Sequence, residues 1–224
     1  MEVWAGCAQH SFVDLTKDWV CVLIAIAGKD FIKVASDTRV STGYSILMRK
    51  HSKTTQLTKD VVITSGGMVA DIEALHKNLL TRIKIYKMQN KREPNLNNLA
   101  KLLSNMLYGR RFMPYYAFNL LCGLDPTTGE GVVMGYDAVG SFDRINYGGQ
   151  GSGQSLAMTV LDSQFHGHNF LVKQLPESQE TVENVAKDII HGVAERDIYT
   201  GDNVEIVTVD KDGVRRYMEP IRRD

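Results

Sequence analysis

The chain has 224 residues, 43% of them hydrophobic, and its 26 Lys and Arg balance 26 Asp and Glu, so the formal net charge is zero. This length and apolar content are enough for one large domain with a sizeable core. Zero net charge gives the chain no overall attraction to nucleic acid or to an anionic membrane. It also leaves little charge repulsion to keep the chain monomeric, which favours assembly.

The cysteines and the apolar runs exclude two further classes of protein. Cys7, Cys21 and Cys122 are odd in number and widely spaced, which indicates neither a disulfide framework nor a metal site and favours a reducing compartment. The apolar run 20–27 is shorter than the roughly 20 residues that span a bilayer. Mixed charges precede it and no small-residue cleavage site follows, so we predict no secretory signal and no membrane span. No cofactor is predicted.

The first half of the chain is predicted to form two strand pairs followed by two helices. The apolar runs 20–27 and 31–37 flank a Gly-containing turn and predict a β-hairpin. A second strand pair is predicted around Leu57 and over 61–65. Apolar residues at steps of three and four then predict a helix over 69–88 and a second helix that begins near Leu96 and closes near Gly109.

The second half repeats this order of strands and helices. Strands are predicted at 118–124, 131–136 and 145–149, and a closing hairpin at 204–210 and 213–218. Between them lie a helix from 151–153 to about Phe165, with Leu156, Val160 and Leu161 on its apolar side, and a helix capped at Ser178 or Thr181. No linker divides the chain, so we predict one α+β domain, a four-layer αββα sandwich with two antiparallel sheets between two helix pairs.

Five short segments carry a resemblance to a known family. They are residues 34–39 at the end of the second strand, Lys53, residues 65–67, residues 151–153 and residues 196–202. In this order and spacing, the set resembles the proteasome beta family of N-terminal-nucleophile hydrolases from about residue 20 onward. The resemblance implies that family's αββα fold.

The family's chemistry explains the matched residue types. Its nucleophile is the side chain of an N-terminal threonine, released by propeptide cleavage and activated by its own amine and a lysine. By resemblance, Asp37 and Lys53 match the aspartate and lysine that support the nucleophile, and Gly67 matches the glycine whose N–H faces the developing oxyanion. The resemblance also places Ser152, Asp197 and Thr200 around the N-terminal amine, although the family usually has serine at the position of Thr200.

The position of the threonine itself holds Cys21, which lies 16 residues before Asp37 and 32 before Lys53. Val20 precedes it, where an active precursor has glycine. The resemblance therefore implies a non-catalytic subunit, with residues 1–20 as an N-terminal extension and 21–224 as the domain. Two alternatives remain open for Cys21: a cysteine nucleophile released by cleavage after Val20, or a small buried hydrophobe in a strand.

A second set of segments narrows the resemblance to one ring position. Residues 108–116, 123–125, 137–142 and 222–224 are similar to the non-catalytic subunit at the sixth beta position of the eukaryotic ring. The implied partners are beta subunits of the same and the opposing ring, alpha-ring subunits, and polypeptide substrates in the chamber. The implied location is the cytoplasm and nucleus, in protein degradation linked to ubiquitin and ATP.

Four features also have other interpretations. The aromatic and arginine residues of 110–116 could bind single-stranded nucleic acid, but a subunit interface is the expectation, because both residue types are enriched there. Residues 151–153 open a helix and could bind a phosphate through backbone N–H groups, but they lack the lysine of a phosphate loop. His166 and His168 have no ligand partner at metal-binding spacing, and we expect surface histidines. Asp37 and Arg39 could form a simple turn pair.

Overall fold

The computed structural model describes residues 18–20, 22–166 and 175–222. In chain order the strands are β1 Asp18–Val20, β2 Val22–Ala27, β3 Ile32–Asp37, β4 Val40–Thr42, β5 Ser45–Met48, β6 Thr54–Gln56, β7 Val61–Gly67, β8 Ala117–Leu124, β9 Gly131–Tyr136, β10 Phe142–Ile145, β11 Tyr147–Gly151, β12 Asp202–Asp210 and β13 Gly213–Arg222. The helices are α1 Val69–Asn90, α2 Leu96–Tyr108, α3 Gln154–Leu161 and α4 Gln179–Ala194, with a π-helical turn, Asp162–His166, continuing α3.

Two five-stranded antiparallel sheets form the centre of the molecule. One has the order β11-β2-β3-β12-β13, and the other has the order β10-β9-β8-β7-β6. A small third sheet has the order β1-β4-β5. Helices α3 and α4 pack on the first sheet and α1 and α2 on the second, while a separate apolar cluster fills the space between the sheets. The predicted α+β sandwich of four layers is confirmed.

The hairpin of β2 and β3 shows why the predicted apolar runs form strands. All six residues of each strand are buried. Val22, Ile24 and Ile26 face α3 and α4, whereas Leu23, Ala25 and Ala27 face the second sheet. A strand that is covered on both faces reads as a continuous apolar run rather than an alternating one.

Strands β10 and β11 differ from the sequence prediction. A single strand over 145–149 was expected, but the chain forms two strands there, and they belong to different sheets. The chain crosses between them at Asn146, whose carbonyl accepts a hydrogen bond from Ala27 N at 2.7 Å. Gly148 leaves room here for the end of the Ile145 side chain, whose Cδ1 atom would lie 2.6 Å from a Cβ at position 148.

The third helix is shorter than predicted and buries a different face. Helix α3 ends at Leu161 and buries Ala157 and Leu161, whereas Leu156 is 43% exposed and Val160 is 39% exposed. Gly153 sets this orientation, because a Cβ there would lie only 2.4 Å from Val193 Cγ1. Residues at steps of four from Gly153 therefore face α4, and the predicted apolar side was wrong for Leu156 and Val160.

Strands β1, β4 and β5 were not predicted. They have three, three and four residues, and all four residues of β5 are exposed. No helix in the described part of the chain is long and apolar enough to cross a membrane.

A buried histidine ties α1 to the second sheet. The Ser65 hydroxyl donates to Asn119 Oδ1 at 2.6 Å and lies 2.7 Å from His76 Nε2, while the Thr55 hydroxyl lies 2.9 Å from His76 Nδ1. Since Ser65 has one hydrogen to donate, it accepts from Nε2–H, and His76 is the neutral tautomer with Nδ1 as acceptor. Burial, together with the nearby His51, lowers the pKa of His76 to about 4.

This environment predicts a loss of stability in mild acid. Because the pKa of His76 falls from 6.5 to about 4 on folding, the unfolded chain binds more protons below pH 6.5. The free energy of unfolding should therefore fall as the pH drops from 6.5 to 4, by up to about 3 kcal/mol from this residue. Urea denaturation of the full chain across this range measures the effect. His76→Gln should flatten the dependence, whereas replacing the exposed His191 should not; equal slopes for all three proteins would contradict the prediction.

Candidate active site and its support network

The site is built around a buried ion pair between Asp37 and Lys53. Asp37 is the last residue of β3, and Lys53 precedes β6 by one residue, so the pair joins the two sheets. Lys53 Nζ lies 2.5 Å from Asp37 Oδ1, and neither side chain is exposed to solvent. Two backbone N–H groups also donate to the carboxylate: Val22 N to Oδ1 at 3.0 Å and Arg39 N to Oδ2 at 3.2 Å.

Burial and these contacts act on the Asp37 carboxyl in opposite directions. Complete desolvation raises the pKa of Asp37, while the Lys53 charge and the hydrogen bonds from Lys53, Val22 and Arg39 oppose that rise. Three donors, the Lys53 ammonium and two backbone N–H groups, thus stabilise the charge of one buried carboxylate. The role that the resemblance implies for both residues, an aspartate that holds a lysine beside a nucleophile, stays a prediction.

Arg39 connects this pair to the loop before β12. Its Nε atom donates to Asp202 Oδ2 at 2.8 Å, and its Nη1 atom donates to the Ile198 carbonyl at 3.2 Å. Arg49 binds the other Asp202 oxygen at 2.5 Å. Asp37 and Arg39 are therefore more than a turn pair, because Arg39 holds the 197–202 loop against the end of β3.

The same loop carries the second predicted cluster. Asp197 Oδ2 accepts hydrogen bonds from the Ser152 hydroxyl at 2.6 Å and from the Thr200 hydroxyl at 2.7 Å. Its Oδ1 atom accepts from Tyr199 N at 3.1 Å. The structure therefore brings Ser152, Asp197 and Thr200 together, as the resemblance implies, and threonine at position 200 makes the contact that a serine hydroxyl could make.

Gly67 ends β7, where the second sheet approaches the first. Its φ is +128°, and a Cβ would lie 2.3 Å from the Tyr116 carbonyl oxygen, so only glycine fits without strain. The neighbouring Gly66 approaches Gly151, because a Cβ on Gly66 would lie 3.5 Å from Gly151 N. Gly151 is in turn the register partner of Val22. The end of β7, the end of β11 and the start of β2 therefore meet.

All six predicted support residues thus belong to elements that meet around the start of β2. Cys21, the predicted position of the lost nucleophile, lies outside the described residues, as do residues 1–17 of the predicted extension. Val20 ends β1, whose register partner at that end is Val40. His168, the His166 side chain and residues 223–224 are likewise outside the described part.

A polar cavity beside Lys53 was missed by sequence reasoning. It has a volume of about 410 Å³ and is lined by His51, Ser52, Thr55, Ile72, Glu73, His76, Lys77, Leu80, Thr81 and Lys84. Ser52, one of its lining residues, donates to the buried Glu205 Oε2 at 2.7 Å. Its residues come from the loop before β6, from β6 itself and from α1, and none of these segments carries a sequence motif that would predict the cavity.

The described residues contain no group of three or more His, Cys, Asp or Glu side chains that could hold a metal ion. Among the cysteines, Cys122 is buried in β8, and burial raises the pKa of its thiol. A thiol in that state is a poor nucleophile at neutral pH.

Comparison with known proteins agrees with this geometry. The family model "Proteasome subunit" matches residues 22–209. The chain is 44% identical over 217 residues to proteasome subunit beta type-1 of Oryza sativa subsp. japonica, covering 92% of this chain and 98% of that protein. It is 45% identical over 206 residues to the beta type-1 subunit of Arabidopsis thaliana, covering 90% and 92%, and 40% identical over 222 residues to beta type-1-B of Carassius auratus, covering 99% and 93%.

The fold and the support network define a member of the N-terminal-nucleophile hydrolase class, and the chain belongs to the proteasome family. Within that family it is similar to proteasome subunits beta type-1. The segments 108–116, 123–125, 137–142 and 222–224 of the sequence predicted this similarity.

The buried pair generates a prediction about stability. Lys53→Met leaves a buried carboxylate without its counterion, and Asp37→Asn leaves a buried ammonium, so each should lower the free energy of unfolding by about 3–5 kcal/mol. The double variant removes both charges and should lose clearly less than the sum of the two. Urea denaturation of the three full-chain variants measures the cycle.

Lys29→Met is the matched control, because Lys29 pairs with Glu177 at 2.8 Å on the surface, where both side chains are largely exposed. It should change the denaturation midpoint little. Additive effects of Lys53→Met and Asp37→Asn would contradict the idea of a single coupled pair.

Proposed function

We propose that the chain is a non-catalytic beta subunit of the 20S proteasome core, which helps to form the beta ring and the wall of the proteolytic chamber. The observation that carries the proposal is that the six matched support residues belong to elements that meet near the start of β2, in a sequence that has Cys21 where the family has threonine. The family match and the similarity to beta type-1 subunits over nine-tenths of the chain support it. The chain assembles with other proteasome subunits.

The network has a structural role in such a subunit. Once buried, Asp37 and Lys53 must remain matched, since loss of either charge leaves the other unpaired. The Asp197 cluster and Arg39 hold the 197–202 loop in the same way. Selection for a stable fold therefore suffices to retain these residues without catalysis.

Strand β1 supports retention of the residues before Cys21. Asp18, Trp19 and Val20 pair with Thr42, Ser41 and Val40 in an antiparallel ladder. A segment that is paired in a sheet is less accessible to cleavage than a free terminus. The absence of glycine at position 20 also removes the junction that active precursors of the family use.

The finer arrangement follows from the same proposal. The partners are beta subunits in the same and the opposing ring and subunits of the alpha ring, and the chamber receives polypeptide substrates. The subunit resides in the cytoplasm and nucleus, and its contribution to degradation is geometric.

The test is the mass and chemistry of the chain inside purified core particles. Intact-mass spectrometry should show an N-terminus before residue 21, and a threonine-directed covalent inhibitor should label other subunits but not this one. Cys21→Ser should leave the peptidase activities of the core unchanged, as should the matched variant Cys7→Ser.

The competing function is an active peptidase that uses Cys21 after cleavage at Val20. A mature N-terminus at Cys21, together with a peptidase activity that Cys21→Ser abolishes and Cys7→Ser preserves, would establish that function and exclude the non-catalytic proposal.

A further inference from the structure

Two buried side-chain oxygen atoms have no hydrogen-bond partner among the residues that the structure describes. They are the Ser36 hydroxyl oxygen in β3 and Glu205 Oε1 in β12. Ser36 is 0% exposed and Glu205 is 1% exposed, so bulk solvent does not reach either side chain. Because buried polar groups in folded proteins are almost always hydrogen-bonded, we expect each of these atoms to bind something.

The two atoms belong to one site, because Glu205 is the register partner of Ser36 in the β3–β12 ladder. Side chains directly opposite each other in an antiparallel pair share a face of the sheet, with Cβ atoms about 4.5–5.5 Å apart. That face lies between the two sheets, since Val207 and Val209, at steps of two from Glu205, belong to the apolar cluster there. The hydroxyl and the carboxylate are therefore neighbours between the sheets.

Direct contacts compensate the Glu205 carboxylate only in part. Its Oε2 atom accepts a hydrogen bond from the Ser52 hydroxyl at 2.7 Å. The other oxygen, Oε1, lies 3.7 Å from Arg216 Nη1 on β13, which is outside the range of an N–H···O hydrogen bond. A gap of this size between two polar groups is suited to a bridging water molecule.

We propose that Ser36, Glu205 and Arg216 hold one buried water molecule between the sheets. The water accepts hydrogen bonds from the Arg216 guanidinium and the Ser36 hydroxyl and donates one to Glu205 Oε1. These are about three hydrogen bonds, the usual number for a buried water. The site belongs to the fold of this chain, and it does not depend on the function proposed above.

The site also bears on the position of Lys53. Ser52 precedes Lys53 in the chain, and its hydroxyl lies 2.7 Å from Glu205 Oε2 and 3.2 Å from the Thr54 carbonyl oxygen. Glu205 therefore ties the segment that enters β6 to the first sheet. The bridging water extends this tie to Arg216 and thereby to the last strand of the chain.

A cation fits the site less well than water. The described residues contain no group of three or more His, Cys, Asp or Glu side chains that could hold a metal ion. Arg216 already brings a positive charge towards Glu205, and it would repel a second cation at the same oxygen. A water molecule can accept from the guanidinium and donate to the carboxylate, whereas a metal cation can do neither.

The first test is a structure of the full chain, alone or within a purified complex, at a resolution that shows ordered water. One density peak should lie about 2.5–3.2 Å from Glu205 Oε1, Ser36 Oγ and Arg216 Nη1. Its height should not change when potassium in the buffer is replaced by rubidium. The proposal is overturned by the lack of a peak, by a peak that rises with rubidium, or by direct hydrogen bonding of Glu205 Oε1 to Ser36 or Arg216.

The second test is the sign of a change in stability. If the Ser36 hydroxyl binds the water, Ser36→Ala should lower the urea midpoint of the full chain by about 0.5 M. Removing a buried hydroxyl without any partner would instead raise the midpoint or leave it unchanged. Ser65→Ala is the matched reference, because the buried Ser65 hydroxyl contacts His76 and Asn119, and it should lower the midpoint. A lower midpoint for Ser65→Ala alone would contradict the proposal.

The third test removes the guanidinium. Arg216→Met should weaken or abolish the density peak, because the water loses the donor that connects it to β13. Arg215→Met is the matched control on the same strand: Arg215 contacts Asp210 rather than Glu205, so the peak should keep its height. A peak that is equally strong in both variants would show that Arg216 does not hold the water.

Discussion

The structure depends on the ion pair between Asp37 and Lys53, because it joins the two sheets at the point where the site is built. Both side chains are fully buried, and the pair spans from the end of β3 to the residue before β6. Removing two charges from water costs several kcal/mol per ion, which only close contact and additional donors can offset. Val22 N and Arg39 N supply those donors. The start of β2, the end of β3 and the entry to β6 are thereby fixed together.

Two further contacts extend this constraint. Arg39, whose N–H binds Asp37, also binds the Ile198 carbonyl and the Asp202 carboxylate. In the same loop, Asp197 accepts a hydrogen bond from Ser152. The ends of β3, β11 and the α4–β12 connection thus form one bonded frame. A frame of this kind positions a nucleophile in an enzyme, and it stabilises the fold whether or not a nucleophile is present. Its presence alone therefore distinguishes the fold but not the activity.

The sequence predicted the long elements well because they carry a clear apolar period. Strands β2 and β3 and helices α1 and α2 were placed within a few residues of their ends. Strands β1, β4 and β5 were missed because they are short, and β5 buries none of its residues. The crossing at Asn146 was missed because glycines at 148 and 149 give no pattern. In the site, resemblance identified Asp37 and Lys53, whereas the Arg39–Asp202 contact joins residues 163 apart and has no local signal.

The total charge of the chain likewise does not predict how the fold distributes its charged residues. A value of zero indicates the absence of a global field, and that is correct for the whole chain. The fold, however, sorts the charged residues by layer, since α1 and α2 cover one sheet and α3 and α4 cover the other. A partner approaching the α1–α2 layer meets exposed arginine and lysine at short range, where the opposite layer is screened. The neutral sum therefore combines two outer helix layers of opposite charge, with nine Lys or Arg against three Asp or Glu over 69–113 and three against seven over 154–200.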